Sequence, residues 1–103
     1  MPTVFVTAPR DAADEIARTV VEERLAACVN RFPCRSTYRW DGEVHEDDET
    51  ILLVKTTETG YRRVRDRIAE LHPYDVPAIE RFDDSGVTES FADWLDHAVE
   101  SAE

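Results

Sequence analysis

Histidine and cysteine are the side chains best suited to bind a soft metal ion, and this sequence contains three histidines and two cysteines. His72 directly precedes Pro73 and has no second histidine or cysteine three or four residues away. A lone histidine at that point is either a metal ligand or a residue that interacts with the C-terminal dipole of the preceding helix. Cys28 and Cys34 have a spacing that matches no zinc motif. We predict that both are free thiols.

A second candidate site is the acidic segment at residues 45–49, His-Glu-Asp-Asp-Glu. Its oxygen atoms are ligands that hard cations prefer, but it lacks the alternating ligand positions and the turn glycine of an EF-hand loop. A solvated acidic surface accounts for the segment without a bound cation, and we favour that interpretation.

Motifs for catalysis are not found in the sequence. No serine or cysteine is accompanied by a base in a recognisable nucleophile pattern. Three glycines in the whole chain do not suffice for a glycine-rich phosphate loop. We therefore expect that the protein is not an enzyme.

The charge of the chain is its most unusual global property. Aspartate and glutamate number 23 against 12 basic residues, which gives a formal net charge of −11. Nucleic-acid binding needs a basic surface, so this charge argues against it. Lys55 is the only lysine. Concentrated salt screens the self-repulsion of such a chain, so we predict the protein of a halophile; an acidic protein of a mesophile is the alternative.

Two further classes of protein are not supported by the sequence. No apolar run approaches the roughly 20 residues that a membrane span requires. The first residues lack the charged and apolar regions of a signal peptide. We expect a cytoplasmic protein that contacts no membrane.

The periodicity of apolar residues predicts a β-α-β-β-α-β order with a terminal helix. We predict strands at 2–7, 26–40, 43–56 and 78–82, and helices at 11–25, about 59–71 and 88–98. Asp41-Gly42 indicates a two-residue hairpin turn between the second and third strands, while Pro33 indicates a bulge or bend within the second strand. We expect Asp11, and Thr57 or Thr59, to cap the first two helices.

Two further expectations concern single segments of the chain. Residues 45–49 have low β propensity, so we expect them to loop out of the third strand. The last helix is expected to bury four apolar residues, Phe91, Trp94, Leu95 and Ala98.

The predicted fold is a single α+β domain over residues 1–103, of the ferredoxin-like class. It has a four-stranded antiparallel sheet with helices on one face. A third strand rising ~3.3 Å per residue would be roughly 45 Å long, whereas a domain of this size has a radius of gyration of about 13 Å. We therefore predict that a neighbouring subunit completes the long hairpin. The expected interface residues are Tyr38, Trp40, Ile51 and Leu53.

Five ordered motifs show that the sequence resembles a known family. They are T-A-P at residues 7–9, E-R-L-A-A-C-V-N at 23–30, Y-R-W-D-G-E at 38–43, L-L-V-K-T-T at 52–57 and H-P-Y-D-V-P at 72–77. Together they resemble the CutA divalent-cation tolerance proteins over nearly the whole chain. The segment F-A-D-W-L at residues 91–95 is similar to the terminal segment of that family.

The resemblance implies a ferredoxin-like subunit in a tight homotrimer, similar to the PII-type signalling proteins. It also implies a link to tolerance of divalent metal ions, notably copper, with no required cofactor and no enzymatic activity. Val6 and Leu71 stand where other members carry a cysteine and a histidine as copper ligands, so His72 alone remains of that set. Cys34 replaces a usual glycine and Phe91 a usual tyrosine.

Two functional hypotheses follow. The first is a halophilic, archaeal CutA-type trimer that responds to or binds divalent metal ions, with His72 as candidate ligand. The alternative is a PII-like sensor that binds an anionic small molecule in clefts between subunits, where Lys55, His72 and Tyr74 would supply the polar groups. A third possibility is a small ferredoxin-like enzyme such as an acylphosphatase, but the phosphate loop that such an enzyme requires is absent from this sequence.

We predict that the melting temperature rises by several degrees between low salt and molar KCl, because molar salt shortens the Debye length to ~3 Å. Thermal melts followed by circular dichroism at both concentrations test this. Equal melting temperatures would contradict adaptation to salt.

Overall fold

The computed structural model describes residues 1–100. Its elements in chain order are β1 (Pro2–Ala8), α1 (Arg10–Glu22), β2 (Cys28–Trp40), β3 (Glu43–Lys55), α2 (Tyr61–Leu71), β4 (Ile79–Asp83) and α3 (Glu89–Ala98). The strands form one antiparallel sheet in the order β2-β3-β1-β4. This confirms the predicted ferredoxin-like α+β fold with its additional C-terminal helix.

The core lies between the sheet and the helices. Alternate residues of the two central strands point into it, because successive side chains of a strand face opposite sides. The apolar stripes of α1 and α2 pack against these strands, as their helical spacing predicts. The fully buried core residues include Val4, Val6, Ile16, Val20, Leu52, Val54, Val64 and Ile68.

The β2–β3 hairpin extends well beyond the rest of the sheet. Its two strands pair along their whole length, from Cys28 with Lys55 to Trp40 with Glu43. β1 pairs with β3 at residues 50–55 only, so residues 43–49 have β2 as their sole strand neighbour. The longest dimension of the molecule is 45 Å. Asp41 and Gly42 have φ angles of 52° and 77°, as a type I′ turn requires.

Two predicted interruptions of the hairpin are wrong. Pro33 lies in continuous register opposite Thr50; β2 is an edge strand, where a proline without an N–H donor is tolerated. Residues 45–49 pair with β2 instead of looping out. Cross-strand contacts offset their low β propensity: Arg35 forms an ion pair of 3.6 Å with Asp48, and the Tyr38 hydroxyl donates to Asp47.

The ends of the helices differ from the predictions in detail. α1 begins after Pro9, and Asp11 lies in its first turn without capping it. α1 ends before Arg24, whose φ of 60° does not continue a helix. The Arg24 guanidinium instead donates to the His97 carbonyl oxygen at 2.9 Å, which ties the end of α1 to the end of α3. Thr57 accepts the N–H of Gly60 at 2.9 Å, one residue before α2.

The terminal helix buries less than its sequence pattern suggests. Leu95 is buried beside Ala27 and Val99, but Phe91 and Trp94 are 38% and 49% exposed. The prediction that α3 buries both aromatic rings is therefore wrong for a single protomer. The apolar spacing correctly predicted a helix, but among residues 1–100 only the side of α3 with Leu95 and Ala98 packs against other residues.

Within residues 1–100, none of the helices is long and apolar enough to cross a membrane.

Gly60 occupies a site with no room for a side chain. A Cβ atom there would lie 2.8 Å from the Thr56 hydroxyl and 3.0 Å from a methyl group of Val99. Thr56 is fully buried, and its hydroxyl donates to the Leu25 carbonyl oxygen at 2.8 Å, so it cannot move without losing that bond.

We predict that Gly60→Ala lowers the free energy of unfolding by about 1–3 kcal/mol, the usual cost of overpacking. Gly86→Ala is the matched control, since a Cβ at Gly86 meets nothing within 4 Å; its effect should be about 0.5 kcal/mol or less. Urea unfolding at one protein concentration measures both. Equal effects would contradict the packing described for Gly60.

Candidate functional site

Among the described residues 1–100, both α1 and α2 pack on one face of the sheet, and no helix covers the other face. The side chains that point to this open face include apolar residues from all four strands: Phe5, Phe32, Ile51, Leu53 and Phe82. We call these five residues the open-face patch. The phenyl rings of Phe5 and Phe82 lie 5.6 Å apart. An apolar surface of this kind usually marks an interaction site.

The four predicted interface residues all lie on this face. Ile51 and Leu53 belong to the open-face patch and are half-buried. Tyr38 and Trp40 lie further along the hairpin, with exposed fractions of 39% and 48%. The Tyr38 ring stacks on His45, directly opposite, with ring centres 5.6 Å apart. The structure thus brings the four residues to one surface, and which molecule covers them remains a prediction.

A cleft of about 690 Å³ opens on the same face, between the hairpin and residues 73–78. We call it the hairpin cleft. Ring-bearing side chains and carboxylates dominate its lining, which consists of Phe5, Thr7, Ser36, Thr37, Tyr38, Trp40, Glu49, Pro73, Tyr74, Asp75, Val76, Ala78 and Glu80. No lysine, arginine or histidine is among these residues.

A hydrogen bond joins two residues that line the hairpin cleft. The hydroxyl of Tyr74, in the loop after α2, donates to Glu49 of β3 at 3.0 Å. Partial burial, together with this hydrogen bond to a carboxylate, raises the pKa of Tyr74 to about 12. Tyr74 therefore stays protonated and continues to donate at any physiological pH. Glu49 itself is only 7% exposed.

His72 is buried, and both of its ring nitrogens have backbone partners. Nε2 lies 2.8 Å from the Thr7 carbonyl oxygen, and the Tyr74 N–H donates to Nδ1 at 3.2 Å. A carbonyl oxygen can only accept, so Nε2 donates to Thr7, while Nδ1 accepts from the Tyr74 N–H. His72 thereby fixes the end of α2 to β1 and positions Tyr74. A metal ion at either nitrogen would have to displace one of these bonds.

Val6 and Leu71, the two positions at which the resemblance noted above implies further copper ligands, are apolar. Val6 is fully buried in the core, and Leu71 packs against that core. Among residues 1–100, no group of three histidine, cysteine, aspartate or glutamate side chains is placed to hold a metal ion. The acidic segment 45–49 forms no such group because alternate residues point to opposite faces of β3.

Lys55 lies at the other end of the open face from the hairpin cleft. Its Nζ atom is 3.5 Å from the Thr3 hydroxyl. It lies six positions along β3 from Glu49, the partner of Tyr74, a distance of roughly 20 Å along a strand. Lys55 and Tyr74 therefore do not line one cleft within a protomer.

The two cysteines are free, as predicted. Partial burial raises the pKa of the Cys28 thiol, against the opposing effect of the Lys55 charge. Cys34 lies across the sheet from Glu49, and its Sγ is 3.8 Å from the Ser36 hydroxyl. At Cys28 the effect of burial on the pKa outweighs that of the Lys55 charge, so this thiol ionises less readily than a free cysteine.

Sequence reasoning missed the role of Glu49 and three members of the open-face patch. In the sequence Glu49 is one of several acidic residues in segment 45–49. Only its hydrogen bond with Tyr74 in the folded chain separates it from the others. Phe5, Phe32 and Phe82 lie on three different strands, so their proximity depends on the sheet order. The period-two pattern of β1 could have indicated that Phe5 faces away from Val4 and Val6.

The fold and the uncovered sheet define a small ferredoxin-like protein of PII-like architecture. The model of the CutA1 divalent ion tolerance proteins matches residues 2–98, so the chain belongs to that family. The divalent-cation tolerance protein CutA of Thermus thermophilus is 47% identical over 94 residues, which cover 89% of this chain and 91% of that protein.

Solved structures agree with this assignment. CutA1 from Pyrococcus horikoshii superposes with a TM-score of 0.94 at 38% identity, covering 98% of this chain and 100% of that chain. The PII-like protein CutA from Nostoc sp., in apo form, gives a TM-score of 0.94 at 32% identity, with coverages of 98% and 99%.

Proposed function

We propose that this protein acts as a non-enzymatic homotrimer in tolerance to divalent cations. The uncovered sheet face is the observation that supports the trimer. Phe32 and Phe82 are 44% and 48% exposed, and they extend an apolar surface that includes half-buried Ile51 and Leu53. Burial against a second copy removes this surface from water, a gain of roughly 25 cal/mol per Å².

The sheet edges support the same assembly. β2 and β4 are both edge strands, so each presents backbone groups without a strand partner on its outer side. The outer edge of β2 is 13 residues long, much longer than the five residues of β4. Pairing the edges of different copies around a closed ring satisfies these groups without leading to open fibres.

The proposed role in divalent-cation tolerance has two supports. It rests on the family, whose relatives are named for divalent-cation tolerance, and on the formal charge of −11, which attracts cations. His72 remains the candidate ligand for copper. Because its ring nitrogens already bond to Thr7 and Tyr74, we expect weak binding. A cytoplasmic location also remains a prediction.

An anionic ligand gains no support from the single protomer. The hairpin cleft is lined by three carboxylates and no basic side chain, and Lys55 lies far from Tyr74. We therefore place the sensor hypothesis behind the first proposal.

We predict that Ile51→Asp or Leu53→Asp converts the trimer to monomers, because burying a carboxylate in an apolar interface costs several kcal/mol. Val21→Asp is the matched control, since Val21 lies on α1 and is 39% exposed. Light scattering after size exclusion measures the mass of each variant. If the Ile51 and Leu53 variants still elute as trimers, the interface lies elsewhere.

For the metal, we predict that His72→Ala weakens copper(II) binding by about tenfold, which corresponds to the loss of about 1.4 kcal/mol of binding free energy. His97→Ala is the control, since His97 lies on exposed α3 and should leave the affinity unchanged. Calorimetric titration of both variants and the wild type decides. Equal binding by wild type and His72→Ala would remove His72 from the proposal.

A further inference from the structure

We infer that α3 of one protomer packs on the β2–β3 hairpin of the next protomer through the exposed rings of Phe91 and Trp94. We call these two residues the aromatic pair. The contact rests on the proposed homotrimer and adds a surface to it, because neither the open sheet face nor the strand edges include α3. The partner of the aromatic pair is therefore a second copy of this chain.

One face of α3 is apolar along its whole length. Phe91, Trp94, Leu95 and Ala98 follow the spacing of a helical stripe. The C-terminal half of this stripe packs on its own protomer, where Leu95 is buried beside Ala27. In the N-terminal half, the rings of the aromatic pair lie 5.6 Å apart, and they are 38% and 49% exposed. The stripe thus continues from the protomer's own packing to a surface in water.

The C-terminal end of α3 is fixed to the helices of the same protomer. The Arg24 guanidinium donates to the His97 carbonyl oxygen at 2.9 Å, and the Glu100 N–H donates to the Arg24 carbonyl oxygen at 2.8 Å. Arg63 donates to the Glu100 carbonyl oxygen at 2.6 Å. These bonds set the orientation of α3, so the aromatic pair is held away from the core of its own protomer.

α3 lies at the end of the sheet where β4 ends. Asp83, the last residue of β4, pairs with Pro2, and Met1 packs against the cluster that contains Leu95. The loop at 84–88 leads directly from β4 into α3. A strand that pairs with the outer edge of β4 and continues past Asp83 therefore runs toward α3.

The hairpin of a second copy provides such a strand. Its β2 has 13 residues and β4 has five, so more than half of the β2 edge extends past β4 when the two pair. β2 carries exposed rings at Phe32, Tyr38 and Trp40, with exposed fractions of 44%, 39% and 48%. Aromatic rings attract one another and are enriched at interfaces. One copy thus offers the aromatic pair, and the other offers rings that match it.

The opposite face of α3 argues against other occupants. Glu89, Asp93 and Asp96 follow one another at helical spacing on that face and are exposed. These carboxylates repel nucleic acid and anionic lipid headgroups. When α3 lies on a neighbouring protomer, its acidic face stays in water while the aromatic pair is buried.

The chain has two tryptophans, which allows a direct test. Trp40→Phe keeps a ring in the hairpin and leaves Trp94 as the sole tryptophan. Light scattering gives the mass of this variant, and acrylamide quenching at the same concentration gives the exposure of Trp94. In the trimer we expect quenching at least about fivefold weaker than that of N-acetyltryptophanamide, because aromatic residues inside an interface are shielded from water. Quenching about half that of the free compound would match the 49% exposure in a single protomer and would overturn the contact.

Two serine variants provide a second, independent measurement. Trp94→Ser removes one ring of the aromatic pair, and Asp93→Ser is the matched control on the acidic face of the same helix. We expect the concentration of half-dissociation to rise at least about tenfold for Trp94→Ser and no more than about twofold for Asp93→Ser. Equal behaviour of the two variants would contradict the contact and leave the homotrimer intact. A wild type with the mass of one chain would instead refute the homotrimer, and the contact with it. Circular dichroism confirms that the variants fold.

Discussion

The rest of the structure depends on one constraint: β3 is apolar on both faces, while the chain supplies helices for only one. Leu52 and Val54 are buried in the core beneath α1 and α2, whereas Ile51 and Leu53 point to the open face. Phe5, Phe32 and Phe82 extend that second surface across all four strands. A single protomer with this sheet leaves apolar area in water, which the association proposed above would remove.

The long hairpin is the second consequence of the same strand. Residues 43–49 pair with β2 alone, so a two-stranded ribbon carries Tyr38 and Trp40 away from the core. Such ribbons are marginal by themselves, and the cross-strand contacts of Arg35, Thr37 and Tyr38 stabilise this one. The base of the ribbon is held by the bond between Tyr74 and Glu49. His72, at the end of α2, positions the loop that makes this bond possible.

Local signals in the sequence predicted the elements well, and their failures have physical causes. The Asp41-Gly42 turn and the apolar stripes of α1 and α2 are short-range patterns, and all were confirmed. The prediction at Pro33 failed because a proline without an N–H is tolerated in an edge strand, and the edge position of β2 is a long-range property. Residues 45–49 contact Arg35, Thr37 and Tyr38 across the hairpin, and propensity does not include such cross-strand contacts. Glu49 could not be recognised as part of a site, since Tyr74 reaches it only in the folded chain.

The most direct measurement of the central idea, that other copies of this chain cover the open sheet face, is the mass of the wild-type protein in solution. Native mass spectrometry at micromolar concentration and moderate salt should give three times the chain mass of 11.8 kDa. A mass of 11.8 kDa under those conditions would mean that Ile51, Leu53 and their neighbours remain exposed to water, and it would contradict the assembly proposed for this fold.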